Sequence, residues 1–122
     1  MSYILVFIGG GLGSITRFQL SRYFVATGNT FPLSTLLSNA ISSLVLGILM
    51  GYVTHRQVSN DNLRLLIGAG FCGGFSTFST FSYETCMLLN TGNYKTGMLN
   101  IFANLILCYL AIVVGFFVTK LV

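Results

Sequence analysis

In an overwhelmingly apolar chain the side chains able to do chemistry are few, and they recur at helical spacing. The densest group runs from Gly68 to Glu84: glycines first, then hydroxyls, with Phe75, Phe78 and Phe81 at a three-residue step. Phe78 and Phe81, at i and i+3, fall on one helical face, with Ser79 and Thr80 between them. An aromatic ring is negative on its face and positive at its edge. Two edge-on rings could therefore touch a small anion without the trap of a full positive charge; the ordinary reading of such a pair is packing. Thr35, Asn39 and Ser42 share one face of an earlier segment. Asn100, Asn104 and Cys108 recur every four residues in a later one. Such polar tracks serve either as glue between membrane helices or as the lining of an ion path. Hydroxyls, amides, ring edges and one arginine suit an anion. A helix broken between Gly73 and Ser76 would instead free carbonyls, which hold cations where transporter helices unwind. Conduction requires binding strong enough to admit an ion and weak enough to release it.

No cluster of metal-ligating residues is present, and the single histidine, His55, lies in a connector away from any serine and acid. Hydrolytic and redox chemistry have no residues to carry them, so an enzyme is not expected. Cys72, Cys86 and Cys108 have neither zinc spacing nor an even count and read as small apolar fillers.

The elements that must position these groups follow from composition. The chain has 122 residues, 54% hydrophobic and 7% charged, against about 25% charged in a soluble domain. No soluble domain of this length has interior enough for so much apolar side chain. An integral membrane protein is expected, all-α, one domain over residues 1–122. Four apolar stretches, at about 3–24, 33–53, 63–89 and 98–118, each reach the roughly 20 helical residues that span hydrocarbon. The third is longer than it needs to be, as a helix with a central break would be. Glycines weaken helices by roughly 1 kcal/mol each relative to alanine, which is consistent with a break from Gly73 to Ser76. A break in lipid is tolerated only where its freed backbone groups are buried in protein or meet a polar cavity or an ion. Pro32 opens the second helix, where its missing N–H costs nothing. The start, Met1-Ser2-Tyr3-Ile4, lacks the basic region of a signal peptide, so the first segment reads as mature structure.

With an even number of spans, Arg56, Arg64 and Lys120 share one side of the membrane and Arg22 and Lys95 the other. Three against two is too small a bias to set orientation. Two readings stay open: a protein oriented by that small bias or by something else, and one that inserts both ways and pairs antiparallel. The net charge of +4 is scattered, so no nucleic-acid surface is expected. Gly9 with Gly13, Gly47 with Gly51 and Gly70 with Gly74 stand at the spacing that lets membrane helices approach closely. The glycines of the first segment lack the strand and βαβ context of a dinucleotide loop. Arg17 lies two thirds along that segment. It either snorkels to the interface or faces a wet vestibule that attracts anions. Glu84, the one acid in a span, is either a functional carboxylate or a helix-end or water-facing group.

Four runs together resemble the CrcB-type fluoride channels, often called Fluc. They are Gly9-Gly10-Gly11-Leu12-Gly13-Ser14-Ile15-Thr16-Arg17-Phe18, Pro32-Leu33-Ser34-Thr35-Leu36-Leu37-Ser38-Asn39, the stretch from Gly70 to Glu84, and Leu99-Asn100-Ile101-Phe102-Ala103-Asn104. The third run is the specific one, and the likeness covers the whole chain. It implies a dual-topology antiparallel homodimer of four-helix subunits in the cell (inner) membrane of bacterial type, with two fluoride pores. It implies that Phe78 and Phe81 line the pore with their ring edges, that Asn39 is the pore asparagine, and that Arg17 is the basic residue of the vestibule. Ser79, Thr80 and Glu84 match motif positions near the permeation track. Gly73 and Ser76 look like the positions whose backbone carbonyls, from both subunits, hold a central structural sodium ion. The family commonly has threonine where Ser76 stands, a difference to which a carbonyl is indifferent. Asn104 and Cys108 stand where small hydroxyl residues are frequent. The implied physiology is passive: fluoride that entered as neutral HF leaves through an anion-selective pore down the membrane potential, giving fluoride resistance.

The alternative among four-span, dual-topology proteins is a small proton-coupled multidrug exporter. It would need an acid in the first helix, where this chain has Arg17. A non-transporting assembly factor would leave the polar tracks as helix glue.

Overall fold

The computed structural model describes residues 1–122. It is all-helical, with four spans long and apolar enough to cross a membrane. The first is α1 (Ser2–Ala26) and the second α2 (Leu33–Arg56). The third span is divided into α3 (residues 61–75) and α4 (Phe78–Asn90), and the fourth is α5 (Tyr94–Leu121). The helices run a few residues past the apolar stretches, Thr54, His55 and Arg56 among them. Polar side chains at a membrane surface leave the backbone free to continue its hydrogen-bond ladder. Tight connectors join the spans. They use Gly28 and Gly92 with positive φ and a left-handed Gln57 that ends α2.

The interior is polar and the exterior apolar. Seven polar residues are buried (Thr35, Ser38, Ser42, Thr77, Thr85, Asn100 and Asn104) against six apolar ones, while large apolar side chains line the outside of every span. Lipid tails are as apolar as leucine, so helix association here rests on close packing and hydrogen bonds. Glycine makes the packing. Gly9 lies against Leu66, Gly70 and Phe71, and Gly13 against Phe71, Gly74 and Phe75, with backbone touching backbone. A second tight pair joins α2 and α5: Gly47 and Gly51 rest on Ile112 and Phe116, and Gly115 on Leu44 and Ile48.

The third span is broken near its centre, at the far end of the expected stretch from Gly73 to Ser76. Gly73 and Gly74 remain helical, and the chain opens at Ser76 and Thr77, both extended. Two glycines of α3 serve the crossing with α1, Gly70 against Gly9 and Gly74 against Gly10. The break is made by hydroxyls. Thr77 caps α4, its Oγ1 accepting the N–H of Thr80 at 3.2 Å, the usual work of a threonine at a helix start. Upstream of the break, Arg64–Cys72 is wound as a π-helix, a form that is rare and frequent at functional sites.

Candidate functional site

The polar face of α2 docks on the third span as an antiparallel ladder with three rungs. Thr35 Oγ1 donates to Glu84 Oε1 at 2.9 Å. Asn39 bridges Thr77, its Oδ1 accepting the Thr77 N–H at 2.7 Å and its Nδ2 donating to the Thr77 carbonyl at 3.3 Å. Ser42 Oγ donates to the Cys72 carbonyl at 2.9 Å. One asparagine side chain thus satisfies both backbone groups of the residue at the centre of the break. In lipid, where no water competes, that is what permits extended backbone.

The face of α5 joins from the other side. Asn39 Nδ2 also donates to Asn104 Oδ1 at 3.0 Å. Asn104 Nδ2 donates to the carbonyl and to Oδ1 of Asn100, each at 3.0 Å. Asn100 Nδ2 donates to Thr85 Oγ1 at 2.9 Å, and Thr85 Oγ1 donates to the Phe81 carbonyl at 2.8 Å.

Two cavities meet at this network. One, of about 310 Å³, is almost wholly polar; Ser14 and Arg17 from α1, Ser34, Thr35 and Ser38 from α2, and Thr77, Thr80 and Glu84 from the third span line it, with Phe18 its single apolar residue. The other, of about 270 Å³, is bounded by Asn39, Ser43, Ser76, Thr77, Phe78, Phe81, Asn104, Leu105 and Cys108. Thr77 borders both. Two buried polar atoms in the first cavity's lining, Ser38 Oγ and Glu84 Oε2, have no partner in the chain. A buried polar group left without a partner costs about 1–3 kcal/mol.

Residues 4–116 match the family described as CrcB-like protein, Camphor Resistance (CrcB). The chain belongs to the CrcB family. Its relatives include the "Fluoride-specific ion channel FluC" of Pyrococcus furiosus, 44% identical over 116 residues, which are 95% of this chain and 94% of that one. The protein of the same name from Koribacter versatilis is 41% identical over 90% of this chain and 88% of its own. That from Dehalococcoides mccartyi is 40% identical over 97% and 92%. These relatives are ion channels and not enzymes, and four spans in this family make a multi-pass integral membrane protein.

Within this CrcB chain the residues singled out by sequence fall into three places. Arg17 is half-buried and lines the polar cavity with Thr80. Ser79 is exposed, its Oγ 3.2 Å from Thr77 Oγ1. Phe78 and Phe81 border the second cavity with Asn39 and Asn104; their ring centroids lie 5.5 Å apart at 48°. Phe81 is 9% exposed and Phe78 76%, so the pair straddles the subunit's surface. Gly73 is exposed and half-buried Ser76 opens the break. Thr77, common to both cavities, escaped notice in the sequence. Its signal was the run Thr77-Phe78-Ser79-Thr80, a hydroxyl residue just before a helix.

The carbonyls of Gly73 and Ser76 lose the donors that a continuous helix would give them. The Thr77 N–H, due to Gly73, goes to Asn39 Oδ1, and the Thr80 N–H, due to Ser76, goes to Thr77 Oγ1. Carbonyls freed in this way fit the oxygen ligation of a cation.

Proposed function

We propose that the chain forms a passive, fluoride-selective channel through which fluoride leaves the cell, as an antiparallel dual-topology homodimer. The observation that carries this reading is the meeting, at Thr77, of a polar cavity bearing Arg17 with a second cavity edged by Phe78, Phe81 and Asn39. The name carried by the relatives supports fluoride as the ion. Arg17 draws the anion into the polar cavity, where Thr80 and Ser79 replace part of its hydration. Beyond Thr77 the edges of Phe78 and Phe81 present partial positive charge without the deep well of a buried cation. Phe78, exposed on the single subunit, is where a second copy closes the path.

A sodium ion belongs to the same reading. The carbonyls of Gly73 and Ser76, freed by Asn39 and Thr77, would hold it, with the same pair from a second copy. When bound, the ion supplies a fixed positive charge that ties the two breaks together. The lipid bilayer is the third partner.

The reading is tested by efflux from liposomes containing the purified protein, loaded with potassium fluoride or potassium chloride, with valinomycin present. The expected result is rapid loss of fluoride with chloride retained. Retention of both anions overturns the reading.

Antiparallel pairing is tested separately through charge. Asn29→Lys, Thr30→Lys and Asn90→Lys together turn two basic residues on that side into five, against three on the other. Such a bias forces one orientation. Fluoride flux is expected to fall at least tenfold and to return on co-expression with an oppositely biased variant. Unchanged flux from the singly oriented protein would rule out antiparallel pairing.

A further inference from the structure

The hydrogen bonds around Asn39 carry a second consequence, which rests on the fluoride reading above. Both N–H groups of Asn39 are committed, one to the Thr77 carbonyl and one to Asn104 Oδ1. Amide orientation follows from the network, and here the network has one direction. Asn104 Nδ2 is held twice by Asn100, and Asn100 Nδ2 by Thr85. Turning the Asn104 amide over would set its NH2 against that of Asn39 and break both bonds to Asn100. Asn104 therefore presents an oxygen, an acceptor, to the donor that borders the cavity with Phe78 and Phe81. An anion entering that cavity is an acceptor seeking the same N–H.

We infer that Asn104 Oδ1 is a tethered stand-in for the anion, which takes the Asn39 N–H by displacing it. The exchange performs two tasks. It keeps the Asn39 donor satisfied when no anion is present, avoiding the cost of an unpaired buried N–H. It also subtracts from the anion's binding the bond that must be broken, which speeds release. Only an acceptor stronger than an amide carbonyl gains from the trade. Fluoride, small and the strongest acceptor among the halides, qualifies; chloride, larger and more weakly accepting, does not. Asn104 is thus a specificity-determining residue, acting as the competitor that the anion must beat.

The test is the fluoride dependence of efflux from proteoliposomes. Asn104→Ala removes the competitor and should lower the half-saturating fluoride concentration about fivefold, the worth of one neutral hydrogen bond, with chloride leak appearing. A residue that merely held the helices together would lower maximal flux without tightening the half-saturation. If wild-type protein moves fluoride and Asn104→Ala leaves the half-saturation unchanged or raised, the inference fails and the channel reading stands. If wild-type protein moves no fluoride, the channel reading fails and takes this inference with it. Should Asn104→Ala not fold, the wild-type protein labelled with 15N at asparagine supplies the measurement. Fluoride, and not chloride, should shift the side-chain NH2 resonances of Asn39 and Asn104 together. A shift at Asn39 alone, or at neither, overturns the exchange.

Discussion

Phe81→Ile is expected to lower fluoride efflux at least tenfold while the protein still elutes, folded, at the wild-type position. A tenfold loss corresponds to about 1.4 kcal/mol at the barrier, a size consistent with losing one positive ring edge beside an anion that has shed part of its hydration. The ring is 9% exposed and forms the wall of the second cavity beside Asn39 and Asn104. Isoleucine keeps most of the bulk, so the packing cost stays well below the roughly 3–5 kcal/mol of truncating a buried phenylalanine to alanine. It carries no quadrupole, so the electrostatic contact goes. The hydrogen bond from Thr85 reaches the Phe81 backbone carbonyl, so the asparagine network survives the change. Efflux measured beside size-exclusion chromatography separates the two effects. Normal flux from a folded variant would remove the ring edge from the mechanism.

The second large effect concerns folding. Gly9→Ala should destabilise the protein by about 3 kcal/mol or more, while Gly11→Ala, two residues along the same helix, should be neutral or stabilise by up to about 1 kcal/mol. A methyl on Gly9 collides with the Leu66 carbonyl and presses on Phe71 N and Gly70 Cα, all backbone atoms that no rotamer change can move. A methyl on Gly11 meets nothing within 4 Å. Relief at Gly9 would require α1 to lift from α3, which opens the contact of Gly13 with Gly74 one turn on. The chain has no tryptophan, so circular dichroism in detergent is the suitable thermal probe. A fall in midpoint of about 10 °C or more for Gly9→Ala is expected. Equal melting of the two variants would mean that this crossing is not what holds α1 in place.

The two experiments address different levels of the molecule. The glycine crossings set where the helix axes lie, and the hydrogen-bonded asparagines set what faces the cavities between them. The inner face of the subunit can be polar because side chains supply the partners that water supplies elsewhere. Asn39 does so for the Thr77 backbone, Ser42 for Cys72, and Asn100 for Thr85.

Much of this was determined by sequence alone. A chain 54% hydrophobic and 7% charged can bury its apolar surface only in lipid. Lengths near 20 residues count the spans, because the bilayer has a fixed thickness. The stripes of Thr35, Asn39 and Ser42 and of Asn100, Asn104 and Cys108 follow from the 3.6-residue period, and the run from Gly70 to Glu84 was specific enough to name the family. What only the tertiary structure decided is where freed backbone and committed side chains meet. Local propensity put the break between Gly73 and Ser76, yet Gly73 and Gly74 are helical and only Ser76 opens; at Gly74 the missing side chain is used by Gly10 of α1, some 60 residues away in sequence. Thr77 became the centre of the site because Asn39, 38 residues before it, satisfies its backbone. The direction of the asparagine chain, and hence the oxygen turned toward the Asn39 N–H, depends on three helices docking at once. Periodicity places a residue on a face; only packing decides which face it meets and which of its atoms is left to act.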